Sequence, residues 1–283
     1  MRIKLRLFIL LAAMLAPPAC GRAPSSLLRQ GQLPVYDFPL YLSEGATGVI
    51  WKYSRDRTRT QLVSGLDNPL GVATDKWGNL FVAQASNSAA GTGSIVRIDV
   101  DSGARTVIAT GLDSPSEVAV DSFGEVYVVQ DLAKNVVRAR DKKVITAGFA
   151  GPPALGFGVG DLMVTADSDS SVNKVFWGST SGPVATDAQQ PVNIGVDGMG
   201  RVFVAEGLTS LARVLRYDQT SGGTGTPVAE KLSGPRGLAV DAVGNLYIVE
   251  VGKLRVALVT FDGQIFSWSA GLGDPQFLAF TQY

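Results

Sequence analysis

Several side chains able to do chemistry recur along the chain at similar places. Glu44, Gln84, Gln130, Glu206 and Glu250 each close a short apolar run. Glu117 and Asn193 each stand two residues after a proline, and Arg236 directly follows Pro235. Carboxylates and amide oxygens gathered at one point are hard ligands, which suit Ca2+ or another divalent cation better than zinc. Glu117, Asn193, Glu206 and Glu250 are the candidates for such a metal. Glu44, Gln84, Gln130, Glu206, Glu250 and Arg236 are candidates for a binding ring. The same residues also have a structural use. A Glu or Gln that ends a strand can bond neighbouring backbone amides, and Arg236 can pair with Glu250 or Glu206. The sequence leaves both uses open. The chain has no histidine, which removes the commonest general acid–base group. No catalytic residue is assigned.

These residues sit in a repeated phrase. It reads Pro69-LGVATDKWGNLFVA-Gln84, then Pro115-SEVAVDSFGEVYVV-Gln130, Pro191-VNIGVDGMGRVFVA-Glu206 and Pro235-RGLAVDAVGNLYIV-Glu250. A degenerate copy begins at Pro153 and a truncated one at Pro275. A period near 40 residues belongs to propeller blades of four strands. Each phrase is two strands and a turn. Asp75, Asp121, Asp197 and Asp241 open the turns, where a carboxylate can bond backbone amides two residues on. Gly78, Gly124, Gly200 and Gly244 supply the positive φ that closes them. The C-terminus supplies only a first strand, and Pro39–Ser43, Val49–Ser54 and Gln61–Ser64 match second, third and fourth strands. Together they make one composite blade, which removes exposed edges. The expectation is an all-β, six-bladed propeller of four-stranded antiparallel blades over residues 35–283, a single domain. First strands line its central channel. At the end of the second strands the series reads Glu44, Gln84, Gln130, Ala166, Glu206 and Glu250. Just after the prolines it reads Leu70, Ser116, Ala154, Val192, Arg236 and Gln276. Ser86–Ser94 and the Gly222–Gly225 stretch lengthen their blades as surface loops. Trp51, Trp177 and Trp268 fall in strands and Trp77 in a turn.

The phrase resembles NHL-type repeats and their six-bladed relatives, a superfamily that includes gluconolactonase-type hydrolases. The resemblance covers residues 35–283, and its motifs are mostly turn and core chemistry, specific for fold and weak for function. In gluconolactonase-like enzymes a Glu, an Asn and an Asp in the channel hold a divalent metal. By that resemblance Glu117 or Glu250 with Asn193 imitates part of the set, and no Asp stands at the third position. Paraoxonase-like lactonases and streptogramin lyases use catalytic histidines, so the resemblance to those relatives cannot extend to their chemistry.

The opening residues differ from the rest. Arg2, Lys4 and Arg6 precede the uninterrupted apolar run Leu7–Ala16. That run is too short to span a bilayer and fits a signal peptide over residues 1–19. The single cysteine, Cys20, follows it and resembles the lipidated cysteine of bacterial lipoproteins, although Pro17 stands where such signals usually carry Leu. Residues 20–34 then read as lipidated Cys and linker. An ordinary secreted or periplasmic protein is the other reading. The resemblance implies an exported chain, lipid-anchored in the bacterial envelope at the outer membrane or cell surface. Lys plus Arg equal Asp plus Glu at 25 each, so nothing points to nucleic acid. The function expected is that of a non-catalytic binding or scaffold module for a protein, peptide or glycan partner. A metal-dependent hydrolase or lactonase is the alternative. A closed ring has no edge to pair, so a monomer is expected.

Overall fold

The structure is a computed structural model that describes residues 39–54, 56–86, 90–157, 163–167, 171–176, 179–185, 187–197, 199–207, 212–218, 223–241 and 243–281, with backbone only for 171–182. The signal segment, Cys20, the linker and Trp177 lie outside the described residues or side chains. The described residues belong to one compact unit, Tyr36–Tyr283.

The unit is an all-β propeller of four-stranded antiparallel blades. Five blades are each made of four consecutive strands. Blade one comprises Pro69–Thr74, Asn79–Gln84, Gly93–Asp99 and Arg105–Leu112. Blade two comprises Pro115–Val120, Val126–Gln130, Asn135–Arg138 and Val144–Ala147. Blade three comprises Ala154–Phe157, Met163–Asp167, Ser171–Phe176 and Ser179–Ala185. Blade four comprises Pro191–Val196, Val202–Glu206, Arg213–Tyr217 and Thr226–Ala229. Blade five comprises Pro235–Val240, Leu246–Glu250, Arg255–Val259 and Ile265–Ala270. A further four-stranded sheet is composite, in the order Pro275–Phe280, Leu40–Glu44, Val49–Tyr53 and Arg59–Val63. Leu40 pairs with Phe280, so the chain enters and leaves this sheet at the same end.

Inner strands pack on one another in sequence, from Pro69–Thr74 through Pro115–Val120, Ala154–Phe157, Pro191–Val196 and Pro235–Val240 to Pro275–Phe280. Pro275–Phe280 in turn packs against Pro69–Thr74. Glycine permits the closest approaches. A Cβ at Gly71 would lie 2.6 Å from the Glu117 Cα, and one at Gly237 would lie 2.8 Å from the Phe277 Cα. The composite sheet is tied on both sides. The Thr74 hydroxyl donates to the Phe280 carbonyl at 2.5 Å and Ser43 to the Leu70 carbonyl at 2.5 Å. On the other side Tyr53, Trp268 and Tyr247 form a run of tilted and edge-on rings 4.7 and 5.4 Å apart. The Tyr53 hydroxyl shares a 2.8 Å hydrogen bond with Ser269 of blade five. Between blades, β-branched and leucine side chains interdigitate, as where Phe203, Ala205 and Val214 meet Leu238, Ile248 and Ala257. Full burial of such side chains contributes roughly 1.5–3 kcal/mol each.

The strand directions divide the ends of the blades between two faces. Turns between strands one and two, and between three and four, lie on one face, here called the turn face. Proline-led entries to the inner strands lie on the opposite, mouth face. Leu40 and Phe280 are on the turn face.

Candidate binding mouth of the channel

The recurrent acids and amides that end the second strands do one job. Each accepts a backbone amide from the segment that leads into its own blade. Asp67 donates to Gln84 Oε1 at 2.8 Å, Asp113 to Gln130 Oε1 at 2.8 Å, Gln189 to Glu206 Oε1 at 2.6 Å and Ser233 to Glu250 Oε1 at 2.9 Å. In the composite sheet Gly273 donates to Glu44 Oε1 at 2.9 Å. In blade three the equivalent residue is Asp167, not the Ala166 of the sequence alignment. Its carboxylate accepts Ala150 at 2.7 Å and Gly151 at 3.0 Å. The shortened repeat displaced the alignment by one residue, and only the carboxylate can fill this role.

The other end of each side chain is also engaged. Gln84 and Gln130 donate to Ser94 at 3.1 Å and Asn135 at 2.9 Å. Arg213 Nε reaches Glu206 at 2.5 Å and Arg255 Nε reaches Glu250 at 2.5 Å, with Lys253 on its other oxygen at 2.9 Å. Burial alone would raise the Glu250 carboxyl. The Lys253, Arg255 and Ser233 bonds outweigh it and hold the group below its ordinary value. Arg236 therefore does not pair with Glu206 or Glu250, because their oxygens are already filled by Arg213, Arg255 and Lys253.

Glu117 and Asn193 form a second arrangement. The Leu155 amide donates to Glu117 Oε2 at 2.9 Å and Asn193 Nδ2 to Glu117 Oε1 at 2.5 Å. Asn193 Oδ1 accepts the Leu238 amide at 2.9 Å. Two side chains thus bind the inner strands of blades two, three, four and five. Burial pushes the Glu117 carboxyl up to about 8, against the lowering effect of these bonds. All six residues two positions after the prolines, namely Gly71, Glu117, Leu155, Asn193, Gly237 and Phe277, are buried. They form a layer closed to solvent.

This donor set does not fit a divalent ion. Both Glu117 oxygens and both polar atoms of Asn193 are bonded within the protein. Glu206 and Glu250 are held apart from them by their own arginines. Among the described residues no three His, Cys, Asp or Glu side chains gather as a metal site.

Above the closed layer is the mouth. Leu70 and Ser116 are half-buried, Ala154 and Gln276 buried, and Val192 and Arg236 exposed. Ser116 donates a short hydrogen bond to Asp131, the residue that follows the second strand of blade two. Burial raises the Asp131 carboxyl, while that bond and the charge of Arg236 pull it down. Blades two and five are three places apart in the succession of inner strands, yet the charge of Arg236 reaches Asp131. The Arg236 guanidinium makes no hydrogen bond or contact ion pair among the described residues. Gln276 donates to Asp274 Oδ1 at 2.6 Å, and its Oε1 is buried without a partner among the described residues. Sequence reasoning named Arg236 and missed Asp131, whose only signal is its place next to Gln130. The mouth thus offers a cation, a carboxylate and a hydroxyl beside apolar Leu70 and Val192.

This geometry defines an all-β propeller of four-stranded blades. No protein-family model matches the chain, and no curated protein matches it in sequence. Solved structures do resemble it. One is the nidogen/laminin complex, with a TM-score of 0.75 and 16% identity over 86% of this chain and 98% of that chain. Another is virginiamycin B lyase from Staphylococcus aureus, with a TM-score of 0.58 and 17% identity over 87% of this chain and 82% of that chain. A histidine-to-alanine variant of that lyase, solved with quinupristin, is catalytically inactive. A third is TolB from Acinetobacter baumannii, with a TM-score of 0.66 and 13% identity over 89% of this chain and 68% of that chain. At these identities the likeness concerns the fold. Its bearers include proteins of binding assemblies and enzymes alike.

Proposed function

We propose that the chain is a closed six-bladed ring of NHL type that works as a non-catalytic binding module in the bacterial envelope. Cys20 and the linker to residue 34 tether it, and the mouth face takes a protein, peptide or glycan partner. One observation carries this reading. The acids and amides that converge on the channel are consumed by backbone amides, so the channel is stitched shut below an open mouth. The residues that meet a ligand at the mouth are Arg236, the Asp131–Ser116 pair and the apolar rim of Leu70 and Val192. The nidogen/laminin complex is an instance of this fold in a binding assembly. The absence of histidine speaks against a lyase like that of Staphylococcus aureus.

A photo-crosslinking residue placed at Val192 tests the reading in cells. The expected result is a discrete adduct from Val192 that disappears on Arg236→Glu. The same probe at Val107, exposed on the outer strand of blade one, gives none. Lactone or ester turnover that needs Ca2+ and falls with Glu117→Gln, together with no adduct at Val192, would overturn it in favour of the hydrolase.

A further inference from the structure

The turn face carries an unexpected series. In four repeats the third residue of the Asp-x-x-Gly turn is a large apolar one: Trp77, Phe123, Met199 and Val243. All four are exposed, between 49% and 80%. Turns at a protein surface normally hold polar or small residues at such places. Phe261, in the last turn of blade five, is 65% exposed on the same face. It lies 3.7 Å from where a Cβ of Gly244 would be, next to Val243.

The exposure is built in. The amides of Trp77, Phe123, Met199 and Val243 each donate to the turn aspartate, at 2.9, 2.9, 2.9 and 3.0 Å. The glycine that follows each takes a φ of 78° to 90°. Backbone and aspartate together fix every turn, and the apolar side chain projects outward. The Trp77 ring covers Gly124 of the next blade, where a Cβ would sit 2.6 Å from it, so it stands beside Phe123. Lys76 Nζ lies 4.8 Å from the centre of the Trp77 ring.

We infer that the turn face lies on a lipid bilayer, with Trp77, Phe123, Met199, Val243 and Phe261 entering the headgroup–acyl boundary. Three observations favour a bilayer over a protein partner. The tips differ in size and shape and share only apolarity, exposure and a place in a turn, which a deformable plane accommodates and a shaped protein surface does not. They are distributed around the ring, whereas protein interfaces concentrate anchors in one packed centre. Trp beside Lys is the pairing that suits a membrane interface, with an apolar ring inward and an ammonium toward headgroups. The location of the chain entry agrees. Leu40 begins its strand on this face. The chain that leads back to Cys20 therefore joins the propeller on the face that carries these tips. The inference goes beyond the proposed function, relying on it only for the tether.

The test uses the full chain purified from membranes and placed on phosphatidylethanolamine/phosphatidylglycerol vesicles whose acyl chains carry bromine near the headgroup. The Trp77 signal is the emission difference between the protein and its Trp77→Tyr variant. Interfacial insertion should let bromine quench this signal by about a third or more, and Phe123→Ser with Met199→Ser should reduce the quenching at least about twofold. Unquenched Trp77 in protein that floats with the vesicles overturns the inference. Quenching that the double variant leaves unchanged also overturns it, because Trp77 alone would then touch lipid. A doubled mass in light scattering with Trp77 shielded from lipid assigns the face to a second copy and overturns it too. The mass of the Cys20 peptide reads the tether separately. The substituted side chains are exposed, so the variants should retain the melting temperature of the parent.

Discussion

Glu117 shows how one residue can look like chemistry and act as a fastener. A carboxyl two residues after a proline, facing a channel with an asparagine across from it, fits a metal site as readily as a stitch. What decided between them was the placement of the Leu155 and Leu238 amides, which depends on blades far apart in sequence. No local pattern reports that. Its burial has a measurable consequence. The folded carboxyl titrates at about 8, above the ordinary value of 4.5. Between those limits the folded state holds a proton that the unfolded chain has released. Stability is therefore highest below the unfolded value and falls as pH rises toward the folded one, by at most about 1.4 kcal/mol per pH unit. Urea denaturation at intervals from pH 5 to pH 8 should show that decline, and Glu117→Gln should flatten it. An equal slope in both proteins would mean that another group is responsible.

At the scale of elements, the hairpin of the second and third strands is the unit that locks each blade. Its matching is chemical. Glu206 stands opposite Arg213 and Glu250 opposite Arg255, whereas Gln84 faces Ser94 and Gln130 faces Asn135. In blades one, two, four and five acid is met by arginine and amide by a neutral partner, a matching visible in the sequence, whereas Glu44 faces Val49 and Asp167 faces Ser171. That matching would have argued against an Arg236 pair with either acid. Blade three was the hard case, because its shorter repeat hid Asp167 behind Ala166. Glu206→Ala should cost about 2–3 kcal/mol by stranding the Gln189 amide and Arg213. Glu206→Gln, which keeps the oxygen that accepts Gln189, should cost about 1 kcal/mol. Chemical denaturation distinguishes the two. Equal losses would show that charge pairing, not the amide bond, holds the element. Turn chemistry was the most legible part, since aspartate and glycine at fixed offsets state the bond and the φ they provide. The outward apolar residue between them was legible too, although only Trp77 suggested exposure.

For the whole molecule the composite sheet is the decisive joint. The sequence announced it, because the first repeat lacks its opening strand and the last lacks everything after one. The side chains that weld it, Thr74, Ser43, Tyr53 and Trp268, carried no such signal, since their partners are backbone carbonyls and rings in other blades. Removing Pro275–Phe280 would leave Leu40–Glu44 as an unpaired edge. Such a chain should self-associate, because bare edges template further pairing. Light scattering should report oligomers for the shortened chain and a monomer for the full one. A monomeric, native-melting truncated chain would mean that the remaining blades hold together unaided. The same joint sets a timetable. The strand that begins at Leu40 leaves the ribosome early, and its hydrogen-bonding partner is made among the last residues of the described fold. Over almost the whole of synthesis one flank of that strand has nothing to bind. The composite sheet is thus the last part of the described fold for which every strand becomes available.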